Sequence, residues 1–175
     1  NSDYQYEDID INVILENRVM QKKLRNIEIL AAVDNITDGQ LEQRLIQEQH
    51  NNKEIARIVM IPCNLGGFHW VGILLEFFDG GEIKRAEYID SLANEEPSSK
   101  LQRQMRKVYP GFPLQQRVLL KQNDSTSCGA YMIENLLLAA ENSEASFTSA
   151  EKIRQTHLFA LKTYNKGFYE GFRYR

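Results

Sequence analysis

The spacing of apolar residues changes along this chain, and each change marks a new kind of element. From about Ile11 to Val33 they recur at helical spacing, with Ile14, Leu15, Met20, Leu24, Ile27, Leu30 and Ala31 forming one broad stripe. Thr37-Asp38-Gly39-Gln40 has the spacing of a capping box and predicts a second helix to about His50, closed by Asn51-Asn52. The pattern then turns to strands. Ile55 to Ile61 is rich in β-branched residues and is expected to stop at Pro62, followed by a loop over Asn64-Leu65-Gly66-Gly67. His69 to Phe78 is apolar enough for a central strand. Asp79-Gly80-Gly81 tolerates the positive φ angles of a tight hairpin, and Ile83 to Ile89 returns as a third strand ending at Asp90. Reversal across that hairpin brings His69 and Asp90 to one edge of the sheet.

Beyond Asp90, Pro97 to Tyr109 reads as an amphipathic helix with a basic face of Lys100, Arg103, Arg106 and Lys107. Pro110-Gly111-Phe112-Pro113 is a turn, and Arg117 to Lys121 is expected to be a short fourth strand. A polar loop, Gln122 to Ser127, then meets Cys128 to Glu141, which is apolar nearly all round, as in a helix buried at the centre of a domain. Thr148-Ser149-Ala150-Glu151 is a further capping box and predicts a last helix to about Tyr164. Helices, then antiparallel strands, then a core helix make the fold class α+β. A single domain over 1–175 is expected, with an N-terminal helical region over 1–52 and a core over 53–175.

Composition narrows the choice of function. The 175 residues are 42% hydrophobic and 26% charged, ordinary values for a globular protein. A net charge of −3 argues against a nucleic-acid partner, which calls for a basic stripe. Cys63 and Cys128 are the only cysteines, too few for a disulfide framework or a four-cysteine zinc site, and suited to a reducing compartment. The longest apolar run, Val71 to Phe78, is interrupted by Glu76 and too short to span a bilayer. The first residues, with Asp3, Glu7, Asp8 and Asp10, read as an exposed acidic arm. The chain starts without Met, so a processed form or a piece of a longer protein is expected. With no apolar stripe left over, a monomer is expected.

Cys128 opens the core helix directly after six polar residues. Most free cysteines are core residues, but backbone N–H groups and the positive end of the helix dipole at this position favour a thiolate. The same N–H groups, joined by a donor such as Gln122, suit the oxyanion of an attacked carbonyl. His69 alone reads more readily as a histidine satisfied at a strand end. Its pairing with Asp90 favours a base held in one tautomer by a carboxylate. Asp90 also suits a turn, and Gln122 ordinary loop polarity. Trp70, the only tryptophan, fits either the core or the wall of a substrate channel. Cys63, beside Pro62, reads as core packing, since a metal site with His69 would lack two further ligands. His50 and His157 have no visible carboxylate partner and read as surface or packing residues.

His69-Trp70, then Ile89-Asp90-Ser91-Leu92, then Gln122 six positions before Cys128-Gly129, resembles the SUMO-protease-like cysteine peptidases of clan CE. The resemblance covers about residues 55 to 141. It implies a papain-like core, a mostly antiparallel sheet packed on a buried helix that starts at the nucleophile, with extra N-terminal helices. It further implies Cys128 as nucleophile, His69 as base and then acid, Asp90 as its orienter and Gln122 as oxyanion donor. Trp70 and Gly129 would bound a channel for a Gly-Gly tail, with no metal or cofactor. The implied partner is ubiquitin or polyubiquitin, with SUMO and NEDD8 as alternatives. The N-terminal third lacks the tryptophan motif of eukaryotic SUMO proteases. In that respect the chain resembles bacterial effector deubiquitinases that act in the host cytoplasm or nucleus, among them the deubiquitinase domains of Wolbachia cytoplasmic-incompatibility factors. Two rival activities remain: an acetyltransferase using the same cysteine and histidine, whose third residue is usually Glu, and a non-catalytic ubiquitin-binding module.

Overall fold

The structure, a computed structural model, describes residues 6–34, 38–51, 54–94, 96–143 and 148–173. Asp3 of the expected acidic arm, Thr37 of the first capping box and Asn52 lie outside the described residues. Glu7, Asp8 and Asp10 do not form an arm. They open helix α1, Asp8–Gln21, where the Glu7 N–H donates to the Asp10 carboxylate at 3.1 Å. Acidic side chains there are favoured by the helix dipole.

The helix expected to reach Val33 stops twelve residues earlier. Lys23 takes a left-handed φ of 53°. The Leu24 N–H reaches back to the Val19 carbonyl and the Lys23 N–H to that of Met20, the two bonds of a Schellman cap. A lysine in the glycine position leaves no compositional mark of this stop. Ile27–Ile29 and Val33–Asp34 become strands β1 and β2, both parallel to strand β3. Helix α2 spans Gln40–His50.

Strand β3, Arg57–Leu65, runs through Pro62 rather than stopping there. The Ile58 N–H donates to Asn26, and the Met60 carbonyl accepts from Leu30, so even-numbered residues of β3 face β1 and β2. β1 pairing ends at Met60 and β2 pairing begins at Cys63. Pro62 therefore presents its missing donor to the gap between the two short strands, where no bond is lost.

Strands β4, His69–Phe77, and β5, Ile83–Ile89, complete an antiparallel core with β3. The turn between them carries Gly80 and Gly81 at φ of 95° and 85°, as expected. Helix α3 spans Ser99–Val108. The fourth core strand comes earlier than expected: β6 is Gln115–Arg117, parallel to β5, and 118–121 is irregular. The sheet order is β1-β3-β4-β5-β6, with β2 also on β3.

Helices cover both faces. Val59, Ile61, Cys63, Val71, Ile73 and Leu75 pack with Leu41, Leu45, Leu101 and Met105 from α2 and α3. Met60, Trp70 and Leu74 on the other face pack with α1 and with helix α4, Cys128–Glu141, through Met132, Ile133 and Leu136. Burial on both faces explains why β4 reads as one continuous apolar run. The last helix, α5, spans Ala150–Arg173, longer than expected, and the Ser149 hydroxyl rather than Thr148 accepts from the first turn, at the Lys152 N–H.

Candidate active site

Two adjacent strand ends and one helix start converge here. His69 is the first residue of β4, Asp90 follows the last residue of β5, and Cys128 is the first residue of α4. α4 packs along β4, and the sequence specifies that approach with a glycine: a Cβ on Gly72 would lie 2.9 Å from Leu136 Cγ.

The His69 Nε2 lies 2.8 Å from Asp90 Oδ1. Cys128 lies beside the same ring and, like Asp90, favours its protonated form. The Trp70 N–H points at the Cys128 sulfur from 3.5 Å, and the Gly129 N–H donates to it as well. Burial alone opposes every charge in this group. It pushes the Cys128 thiol up, but the bonds from His69 and the two N–H groups outweigh it, so the thiol sits below its ordinary value. Burial likewise pulls His69 down, yet Asp90 and Cys128 raise it to about 9. Asp90, 1% exposed, is held below the usual carboxylate range despite burial by His69, the Leu92 N–H and Asn94. The lowered thiol and the raised imidazole both favour the thiolate–imidazolium pair.

Gln122 is 4% exposed and its amide is fixed at both ends. Its Oε1 accepts from the Ser91 hydroxyl, and its Nε2 donates to the Asp124 carbonyl at 2.6 Å, which leaves one N–H of the amide for a ligand. Trp70 is 4% exposed, with its indole N–H on the Tyr6 carbonyl at 3.0 Å. A Cβ on Gly129 would meet Trp70 Cδ1 at 3.3 Å. Cys63 is fully buried in the sheet, its thiol pushed up by burial and directed at the Ile61 carbonyl.

Several residues that support this arrangement were not singled out by the sequence. Asn94 Nδ2 donates to Asp90 Oδ2 at 2.6 Å and fixes the second carboxylate oxygen. Asp124 accepts from the Thr126 and Ser127 N–H groups and the Ser127 hydroxyl, an Asx-turn that shapes the loop before Cys128. An Asp followed by Ser and Thr residues carries that signal locally. Fully buried Asn135 bonds both backbone groups of Leu120 and so fixes the approach to Gln122. His157 corrects the expectation that it has no carboxylate partner. It is fully buried on α5, with Nε2 2.7 Å from Glu134 of α4 and Nδ1 accepting from the Tyr6 hydroxyl. Burial lowers it, so it is neutral there. No local pattern announces contacts between residues 6, 134 and 157. His50 is exposed on α2.

A strand-borne imidazole oriented by a carboxylate, beside a cysteine at a helix start, defines a papain-like cysteine protease site. Residues 34–170 match the Ulp1 protease family, C-terminal catalytic domain, and the chain belongs to that family of cysteine proteases. Among curated proteins compared one at a time, none matches. Among solved structures, the fold is similar to the yeast Ulp1 protease domain in complex with Smt3. That likeness has 18% identity and a TM-score of 0.61, over 89% of this chain and 75% of the other. It is also similar to the Rickettsia bellii effector RickCE, at 14% identity and TM-score 0.64, over 92% and 95% of the two chains. The Xanthomonas campestris effector XopD, solved bound to ubiquitin, matches at 14% identity and TM-score 0.60, over 88% and 90%.

Proposed function

We propose that this protein is a deubiquitinase, a cysteine isopeptidase that releases ubiquitin from lysine side chains or from polyubiquitin through a thioester. The observation that carries the reading is the His69–Asp90 pair set against a Cys128 thiol held below its ordinary value at the start of α4. The thiolate attacks the carbonyl of the C-terminal glycine, and the oxyanion that forms accepts from the Cys128 N–H and the free N–H of Gln122. The His69 imidazolium gives its proton to the departing lysine amine as the C–N bond breaks. Water, deprotonated by the now neutral His69, then attacks the thioester, releasing the ubiquitin carboxylate and restoring the pair.

Asp90 holds the ring in position through both steps. On this reading Trp70 and Gly129, packed against each other beside Cys128, would help bound the channel for a Gly-Gly tail. Likeness to an effector solved with ubiquitin supports the choice of modifier. Likeness to two bacterial effectors supports secretion into a host cell. Likeness to a protease solved with Smt3 keeps a SUMO-directed reading as the alternative. Asp90 in the third position speaks against acetyl transfer.

The test is labelling by ubiquitin carrying a C-terminal electrophile, beside matched SUMO and NEDD8 probes. A covalent adduct with ubiquitin alone, absent in Cys128→Ala, is expected. An adduct only with another modifier reassigns the substrate, and no adduct with any probe overturns the proposal.

A further inference from the structure

Phe68 is 81% exposed, the most exposed large apolar side chain among the described residues, and it directly precedes His69. Its carbonyl oxygen lies 3.9 Å from the Cys128 sulfur. The turn that presents it is fixed. Gly66 and Gly67 take φ of 69° and 82°, and the Gly67 N–H donates to Asn64 Oδ1 at 2.9 Å. Leu92, 41% exposed, stands on the neighbouring strand end. Its N–H donates at 3.0 Å to Asp90 Oδ1, the same oxygen that holds His69. Two exposed apolar side chains thus ride on the backbone that frames the imidazole, both on anchored rather than loose segments.

Proton transfer decides which part of a substrate they meet. His69 must hand its proton to the leaving nitrogen, so that nitrogen lies on the imidazole side of the sulfur. The acyl group and its oxyanion lie toward Gln122 and the start of α4. We infer that Phe68 and Leu92 form an apolar seat for the acceptor, the lysine-bearing segment on the leaving-group side of the scissile bond, and favour lysines with apolar neighbours. The inference rests on the isopeptidase reading and adds to it a determinant of which conjugates are cleaved. A water-exposed phenylalanine on a fixed turn has little to stabilise in the free protein, whereas covering it with an acceptor side chain removes apolar area from water.

The experiment compares the wild-type chain with Phe68→Ala and Leu92→Ala on two ubiquitin substrates and a third, control conjugate. One is ubiquitin C-terminal aminomethylcoumarin, with a small leaving group. The other is ubiquitin joined by an isopeptide bond to a lysine peptide with flanking leucines, beside a serine-flanked control peptide. Each variant is expected to lose about tenfold in kcat/KM on the leucine-flanked conjugate, the scale of one apolar contact. In Phe68→Ala, turnover of the coumarin substrate stays at the wild-type level, and Phe68→Leu recovers part of the loss. Equal losses on both substrates, or no loss on either, overturn the inference while leaving the isopeptidase reading intact. A wild-type chain inert on all three substrates overturns that reading and the inference with it.

Discussion

Cys128 and His69 share a proton whose place sets the pH response. Attack requires the thiolate and departure requires the imidazolium, so kcat/KM follows the pair of titrations. It rises as Cys128 ionises, below the ordinary thiol value, and falls near pH 9 as His69 loses its proton. The rate of chloroacetamide alkylation of Cys128 follows the same rising limb. A rise only near the free-thiol value of about 8.5, with no fall above it, would mean that the pair does not form. Gln122 allows a second prediction at this scale. Its amide has one N–H on Asp124 and one free, so Gln122→Ala is expected to lower kcat about 10²–10³-fold with little change in KM. Undiminished kcat would leave the oxyanion to backbone N–H groups alone.

Elements succeed or fail as predictions according to whether their signals are local. α4 spans Cys128–Glu141 as expected, because a polar loop precedes it and Asn142, in the left-handed region at φ 54°, ends it. The β4–β5 hairpin likewise follows from its own glycines. α1 is shorter than its apolar periodicity suggests because its stop uses Lys23 where a glycine would signal it, and β1 and β2 pair only with β3 among the described residues. β4 and α4 approach closely at Gly72. Gly72→Ala places a Cβ 2.9 Å from Leu136 Cγ and is expected to destabilise the fold by about 1–3 kcal/mol. A lowered thermal midpoint, partly recovered in combination with Leu136→Ala, is the signature; an unchanged midpoint would mean that Leu136 swings clear.

At the scale of the whole molecule, Tyr6, which precedes α1, and Arg154 of α5 meet beside the nucleophile loop. Arg154 of α5 donates to the Thr126 carbonyl at 3.1 Å and lies 5.6 Å from the Tyr6 ring centroid, while the Tyr6 carbonyl holds Trp70. Glu134 is held well below the usual carboxylate range, against its burial, by its bonds to His157 and Arg18, and ties α1, α4 and α5 together. Removing Arg154 leaves Asp124 to shape the loop by itself. Arg154→Ala is expected to reduce kcat and the chloroacetamide rate about tenfold, since small displacements at a nucleophile carry large rate costs. An unchanged rate with intact folding would show that the Asx-turn is sufficient.

The sequence alone determined the α+β class, the central hairpin and the core helix, and it singled out His69, Asp90, Gln122 and Cys128 as candidates. Each of these rests on a pattern contained within some ten neighbouring residues, or on a hairpin whose register follows from its turn. Tertiary structure decided what no window of sequence contains. It placed Pro62 in the gap between β1 and β2, buried His157 beside Glu134, set Asn94 on Asp90 and brought Tyr6 and Arg154 to the nucleophile. Those contacts join residues up to 151 positions apart. They form because packing on both faces of one sheet brings distant helices together, and burial then requires each polar group there to find a partner.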